Sequence, residues 1–179
     1  GVDTERFTPG DRTTIRQSLG FDEDALLVGF FGSFKEQKNH PLAFMAMRRV
    51  LESVPHARLV LVGDKLYGGM HGSSDYKHKM DRMVDDLGIR EQCIFMGNRN
   101  DVDQLYSACD LTILPSLFEG TPNVLLESMA CGVPIVATDV ADNSLIAPDG
   151  KVGFIVPLND HAVLAERIVR LLKDNSLRK

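Results

Sequence analysis

The chain predicts an α/β fold built on one parallel, doubly wound sheet. Three observations carry this expectation: short apolar runs of strand length, segments of helical apolar spacing between most of them, and glycine, proline or aspartate at the junctions. With 179 residues the chain has the size of one domain, and a chain of that size buries roughly 70% of its unfolded surface. It can therefore sustain a core without disulfides or metals. Apolar residues make up 44% and charged residues 25%, which excludes disordered and fibrous classes.

The elements follow in order. Residues 11–19 read as a small helix stopped by Gly20. Residues 25–31 (ALLVGFF) form a nearly continuous apolar run, the pattern of a strand buried on both faces. Residues 41–54 place Leu42, Met45, Ala46, Val50 and Val54 at helical spacing, with Pro41 at the first helical position and His40 or Asn39 as cap. Residues 57–62 (ARLVLV) are a second strand, closed by Gly63-Asp64. The glycine-rich stretch 65–75 reads as a loop, and 76–87 as a helix ended by Gly88. Residues 93–96 are a third strand, and 102–108 a short helix capped by Asp101. Residues 111–114 form a fourth strand, stopped by Pro115, and 122–130 a helix closed by Gly132. Residues 135–138 and 153–156 are the last strands, and 160–173 a final helix capped by Asp160.

Strands separated by helices imply right-handed crossovers, hence a single Rossmann-like sheet of about six parallel strands with helices on both faces. Such sheets bind ligands beyond the carboxyl ends of their strands, where the strand order switches. The loops expected to carry function are 32–40, 63–75, 97–101, 115–121 and 139–145.

Composition removes several function classes. The net charge is −5, whereas a nucleic-acid partner calls for a basic excess. Cys93, Cys109 and Cys131 form no CxxC pair and read as buried small hydrophobes in a reducing, cytoplasmic setting. The five histidines are scattered, with no HxxxH pair and no Cys/His cluster, so no metal site is expected. His40 and His161 read as caps or surface residues. The apolar runs fall far below the roughly 18 residues of a membrane span. The opening GVDTERFTPG is polar and turn-like, unlike a secretory signal.

The most informative segment follows the fourth strand: PSLFEGTPNVLLE, residues 115–127. Thr121 is expected to cap the helix and Pro122 to open it, aiming the amides of Asn123 and Val124 at the ligand side. Free N–H groups and the helix dipole then make an anion site. Gly120 removes a side chain where backbone must approach closely. Glu127 lies five residues past Pro122, roughly 7–8 Å along a helix axis, about one sugar away from a phosphate at the helix start. Glu119 addresses the other side of that phosphate. Two carboxylates bracketing an anion hole describe a nucleotide-sugar site. On spacing alone, Glu127 also reads as a solvated helix position and Glu119 as a loop charge.

Between the first strand and its helix, Gly32 opens a turn and Lys38 or Lys35 can reach a diphosphate. Neither GxxxxGK[ST] nor GxGxxG is present. In GNRND, residues 97–101, the Arg99 guanidinium or the backbone can meet a base.

The segments FEGTPN (118–123), ESMACGVPIVAT (127–138) and ACDLTILPS (108–116) resemble the C-terminal half of retaining, group 1 glycosyltransferases of the GT-B fold. The hallmark of that family is a Glu, seven residues, Glu segment embedded in EGxPxxxxE and followed by GxPxV; Glu119 and Glu127 have that spacing. The opening Gly1-Val2-Asp3 with Phe7-Thr8-Pro9 looks like the segment by which these enzymes enter their second domain. The likeness spans nearly the whole chain, and it implies the following. Residues 1–179 are a nucleotide-sugar donor-binding domain, and an N-terminal acceptor domain belongs to the parent chain. Glu119 is the catalytic carboxylate, holding hydroxyls of the donor sugar, and Glu127 holds the ribose. The donor is bound further by Gly32, Ser33, Lys38, Arg99, Gly120, Thr121, Pro122, Asn123 and Val124, with Lys38 neutralising diphosphate charge. No metal or other cofactor is implied. The parent enzyme would add sugar to a growing glycan or lipid-linked saccharide, in the cytoplasm or at the cytoplasmic membrane face, and the isolated domain would turn over little or nothing.

Three features depart from the family pattern. Ser33 stands where arginine is common, with Lys35 as the alternative cation. Ala141-Asp142 replaces a common Gly-Gly, and the loop 65–75 is longer than usual. A non-catalytic nucleotide-binding domain, or a nucleotide-sugar epimerase or phosphorylase-like enzyme, would share the sheet; Ser33 favours the first of these.

Overall fold

The computed structural model describes residues 1–64 and 73–178. Six strands form one sheet: β1 (Leu26–Phe31), β2 (Ala57–Val62), β3 (Cys93–Gly97), β4 (Leu111–Leu114), β5 (Ile135–Thr138) and β6 (Gly153–Val156). Their spatial order is β3-β2-β1-β4-β5-β6 and every pairing is parallel. The order reverses between β1 and β4, which sets the switch point there. Six parallel strands, helices on both faces and the α/β class thus agree with the sequence.

Among the described residues, seven α-helices surround the sheet: α1 (Arg12–Leu19), α2 (His40–Ser53), α3 (Ser73–Asp86), α4 (Val102–Ala108), α5 (Asn123–Ala130), α6 (Asn143–Ile146) and α7 (His161–Lys173). One face packs α2, α3 and α7 on Val28, Phe30, Leu59, Leu61, Ile113 and Val136. The other packs α1 and α4 on Leu27, Phe31, Val60 and Val62, and α5 and α6 on Leu114, Ile135 and Ala137. Strand residues alternate between the two cores, as a two-sided pleat requires. The amphipathic period of α7 is explicit: Leu164, Ala165, Ile168, Leu171 and Leu172 are buried, a stripe at helical spacing. Asp160 caps that helix as expected, accepting from the Ala162 and Val163 amides.

The helix starts depart from the sequence reading in several places. α3 begins at Ser73 rather than Tyr76, so residues 73–75, expected in the loop, are helical. α2 begins at His40 rather than at Pro41, behind Asn39 in the left-handed region (φ 53°). His40 is no surface cap: it is buried and stacked on Phe34. Asp101 precedes α4, but its carboxylate goes to Arg99 and makes no capping bond. α5 begins at Asn123 behind Pro122, whose ψ of 78° is not yet helical; neither Thr121 as cap nor Pro122 as first helical residue holds. The Asn123 amide donates to the Thr121 carbonyl at 2.9 Å, and this tight turn delays the helix by one residue. The loop expected over 139–145 contains the single turn α6. Of the long loop at 65–75, residues 65–72 lie outside the described residues.

All three cysteines are buried and free. Burial pushes the thiols of Cys93 and Cys109 up to about 12 and that of Cys131 up to about 11, so each is a packed thiol rather than a nucleophile. Among the described residues no helix is long and apolar enough to cross a membrane.

Candidate functional site

The loops leaving β1 and β4 meet beside the switch point and are clamped together. The Leu117 amide donates to the Gln37 carbonyl at 2.9 Å, and the Gln37 side-chain amide donates to the Phe118 carbonyl at 2.9 Å. Inside this clamp Lys38 Nζ donates to Glu119 Oε1 at 2.7 Å, and Ser116 Oγ donates to the same oxygen at 2.5 Å. The two charged side chains are only 13% and 6% exposed, so the pair is far less screened than a surface bridge. Glu119 Oε2 accepts nothing among the described residues. Ser116 is itself fixed, since Thr138 Oγ1 donates to its carbonyl at 2.7 Å, and Asn143 Nδ2 donates to the Thr138 carbonyl at 2.9 Å. A buried polar chain therefore runs from the end of β5 to Glu119.

Next to this pair lies a cavity of about 250 Å³. It is lined by Phe31 at the end of β1 and Gly32 and Ser33 after it, by Gly63 after β2, by Asn98 and Arg99 after β3, and by Tyr106, Val124 and Glu127 from α4 and α5. The backbone builds it by close approach. A Cβ on Gly63, where φ is +132°, would stand 2.3 Å from the Gly32 carbonyl oxygen, so only glycine lets the two loops touch. The methylenes of Lys38 pass 3.3 Å from where a Gly32 Cβ would sit, which places the Lys38–Glu119 pair against the cavity wall. The Ser33 and Val124 amides have no protein acceptor among the described residues.

Glu127 is held from below. Tyr106 Oη donates to Glu127 Oε2 at 2.9 Å, while Oε1 accepts nothing among the described residues. The Tyr106 ring stacks on Phe31, with centroids 3.8 Å apart. Burial first, and the Glu127 charge second, push the phenol well above its ordinary pKa, so it keeps its proton and remains a donor. Arg99 reaches Asp101 with two bonds, at 2.8 and 2.6 Å, which fixes its fork at the cavity rim.

Of the residues expected from sequence, Gly32, Ser33, Arg99, Val124 and Glu127 line one cavity. Lys38 and Glu119 stand beside it as a pair instead of facing it separately. Gly120, Thr121 and Asn123 are exposed on the approach to α5 and Pro122 is buried; none of the four lines the cavity. The Asn123 amide, expected free, is occupied by Thr121. Sequence reasoning missed Tyr106 and Ser116, the hydroxyls that hold the two carboxylates. The spacing of α4 marks Tyr106 as buried but carries no sign of what its hydroxyl meets.

The arrangement offers two carboxylates with one open oxygen each, a cation between the loops, and unpaired backbone amides. That set suits hydroxyl groups on two sides of an anion. At about 250 Å³ the cavity falls just below the roughly 300–1,000 Å³ of a complete small-ligand site, so a drug-sized ligand overhangs it.

The family described as "Glycosyl transferases group 1" matches residues 11–179. The D-inositol 3-phosphate glycosyltransferase of Stackebrandtia nassauensis is 32% identical over 180 residues, covering 97% of this chain and 40% of that protein. The UDP-Gal:alpha-D-GlcNAc-diphosphoundecaprenol alpha-1,3-galactosyltransferase of Escherichia coli is 29% identical over 182 residues, covering 99% of this chain and 45% of that protein. Among solved structures, Anabaena HepE in complex with UDP-glucose superposes with a TM-score of 0.89 at 28% identity, over 99% of this chain and 48% of its own. The C-terminal domain of a group 1 family glycosyl transferase (LpcC) from Francisella tularensis gives a TM-score of 0.82 at 25% identity, over 99% of this chain and 91% of its own. The chain spans less than half the length of the curated relatives it matches.

Proposed function

The chain belongs to the group 1 glycosyltransferases, with the fold of a GT-B C-terminal domain, and we propose that residues 1–179 are the donor-binding domain of a retaining enzyme that uses a nucleoside-diphosphate sugar. The observation that carries this reading is the convergence of Gly32, Ser33, Arg99, Val124 and Glu127 on one cavity at the switch point, with the Lys38–Glu119 pair beside it. UDP is the favoured nucleotide, because HepE, 28% identical, has been solved with UDP and with UDP-glucose.

The roles follow from the open atoms. Glu127 Oε1 accepts from the ribose hydroxyls. The Ser33 and Val124 amides donate to diphosphate oxygens, and the start of α5 adds a favourable dipole. An ammonium has three donors, and Lys38 gives one to Glu119, so it can serve a phosphate oxygen without releasing that carboxylate. Glu119 Oε2 accepts from hydroxyls of the sugar. During transfer the bond from the anomeric carbon to the diphosphate oxygen breaks and a bond to the acceptor oxygen forms on the same face. The charge that grows on the leaving diphosphate is met by Lys38 and the amides. Neither a metal nor another cofactor enters this scheme. The acceptor, a growing glycan or lipid-linked saccharide, would sit on an N-terminal domain of the parent enzyme, in the cytoplasm or at the cytoplasmic membrane face. The isolated domain would bind donor and transfer little.

A second reading, a nucleotide-binding domain without chemistry, is favoured by one feature. Ser33 brings no cation to the cavity, and Lys35 is not among its lining residues. Glu119→Gln and Glu127→Gln separate the readings in the full-length enzyme. The donor reading expects Glu127→Gln to weaken both UDP and UDP-sugar binding, and Glu119→Gln to weaken the sugar nucleotide alone and stop transfer. Full transfer by Glu119→Gln would remove that residue from the chemistry.

A further inference from the structure

The cavity wall holds a phenol whose polar atom has a single partner. Tyr106 is fully buried, and its hydroxyl bonds to Glu127 alone. Its ring is immobilised on three sides of contact: stacked on Phe31 at 3.8 Å and 17°, edge-on to Phe7 at 6.0 Å, and carried by α4 against α5. Packing alone would be met by phenylalanine, which needs no acceptor. The hydroxyl therefore serves the carboxylate. Resting on the donor-site reading above, we propose that Tyr106 is a positioning residue for ribose recognition: by donating to Glu127 Oε2 it fixes the carboxylate so that Oε1 meets the ribose hydroxyls.

The physical gain is preorganisation. A glutamate side chain on a helix surface loses rotamer freedom when it is immobilised by a ligand, a cost that binding must meet. A rigid phenol meets that cost in advance. It also divides the carboxylate by chemistry. Oε2 is occupied by a donor that cannot leave, because the ring is locked. Oε1 remains an acceptor without a donor, and the hydroxyls of a ribose are donors. A ligand lacking those hydroxyls leaves Oε1 unpaired in a partly buried site and is disfavoured. Tyr106 thus sets discrimination between ribose and its deoxy forms without touching the sugar.

The test is calorimetric titration of this chain with UDP and with 2′,3′-dideoxy-UDP, for the parent, Tyr106→Phe, Glu127→Gln and the double variant. Tyr106→Phe keeps every ring contact, and its unfolding midpoint is recorded alongside. The expected result is a parent that prefers UDP, and a Tyr106→Phe variant that loses about three- to tenfold in affinity for UDP, the worth of one hydrogen bond. Its affinity for the dideoxy nucleotide should not change, so the preference shrinks. The double variant should bind UDP no more weakly than Glu127→Gln, because the two residues act as one unit. An equal loss for both nucleotides would mean a packing role and overturn the inference. So would unchanged UDP affinity in Tyr106→Phe, or additive losses in the double variant. Failure of the parent to bind UDP at all would instead overturn the donor-site reading, and this inference with it.

Discussion

Two buried carboxylates lie at opposite edges of the sheet, and they are treated differently. Asp110, at the amino end of β4, is saturated. Its Oδ2 takes Arg16 Nη2 at 2.9 Å and the Leu27 amide at 2.7 Å; its Oδ1 takes Arg12 Nη2 at 2.5 Å, with Arg178 Nε 3.6 Å away. Glu119, beyond the carboxyl end of β4, has both of its described donors on one oxygen. Their exposures are alike, 2% and 6%. Burial does not separate the two carboxylates; the unused oxygen does. Glu127 follows Glu119 in this respect, with one oxygen on Tyr106 and one open.

The largest expected effect tests the saturated member. Asp110→Ala leaves Arg16, which is 1% exposed, with its three carbonyl acceptors but without its counter-charge, and releases the Leu27 amide at the head of β1. Breaking a buried pair in this way costs about 3–5 kcal/mol, to be read by urea denaturation, with nucleotide binding by the folded fraction unchanged. A cost below about 1 kcal/mol would make Asp110 no anchor.

Glu119→Gln sharpens the other side. Glutamine still accepts from Lys38 and Ser116 but removes the counter-charge of a buried ammonium. Stability should therefore fall by about 1–3 kcal/mol, less than for Asp110→Ala, whereas transfer by the full-length enzyme should fall about 100-fold. A stability loss as large as that of Asp110→Ala would erase the contrast between the two edges.

His40 offers an intermediate case, a buried titratable group stacked on Phe34 at the start of α2. Burial first, and the Lys38 charge second, hold its pKa at about 3 against the usual 6.5. The unfolded chain then takes up the proton first, so stability is full above pH 6.5 and is lost as pH falls toward 3. The slope is about 1.4 kcal/mol per pH unit inside that window. Denaturant midpoints between pH 7 and 5.5 should fall for the parent and fall less for His40→Phe. Parallel curves would show that His40 is not held neutral.

The smallest effect belongs to Ser116→Ala. Removing one of the two donors on Glu119 Oε1 should lower UDP-glucose affinity about fivefold and leave UDP affinity alone. An equal loss for both ligands would detach Ser116 from the sugar side.

Much of this was legible in the sequence. Continuous apolar runs placed all six strands to within a residue or so, because strands buried on both faces leave no polar alternation to misread. Of the loops named as functional, 32–40 and 115–121 meet beside the switch point, and Gly63, Asn98 and Arg99 reach the cavity there. The loop 139–145 contributes nothing to its lining, and residues 65–72 lie outside the described residues. What was not legible depends on long-range pairing or on single dihedrals. Lys38 and Glu119 are 81 residues apart, and nothing in either loop announces that they pair. Arg16, in the first helix, is buried against Asp110, 94 residues away, and nothing in its own segment announces that partner. The start of α5 turns on a bond from the Asn123 amide to the Thr121 carbonyl, which composition does not encode. α6, with four residues, is too short to show a period.

The molecule also has an apolar groove of about 260 Å³ at the amino edge of the sheet, between Met129, Val133, Pro134, Val152, Phe154 and Leu177. Among the described residues its charged lining side chains are Lys151 and Arg178, so it lacks the acidic pair of the opposite edge, although Gly153 makes a close backbone approach there, its Cβ position falling 1.8 Å from the Ile135 carbonyl oxygen. The most direct measurement is therefore a titration of the chain with UDP, followed through its backbone amide shifts. Shifts that move together at Gly32, Ser33, Asn98, Arg99, Val124 and Glu127, while Asp110, Gly132, Val152 and Leu177 stay still, are the predicted result. Movement confined to the amino-edge residues, or none at any of these positions, would contradict a donor site at the β1–β4 switch.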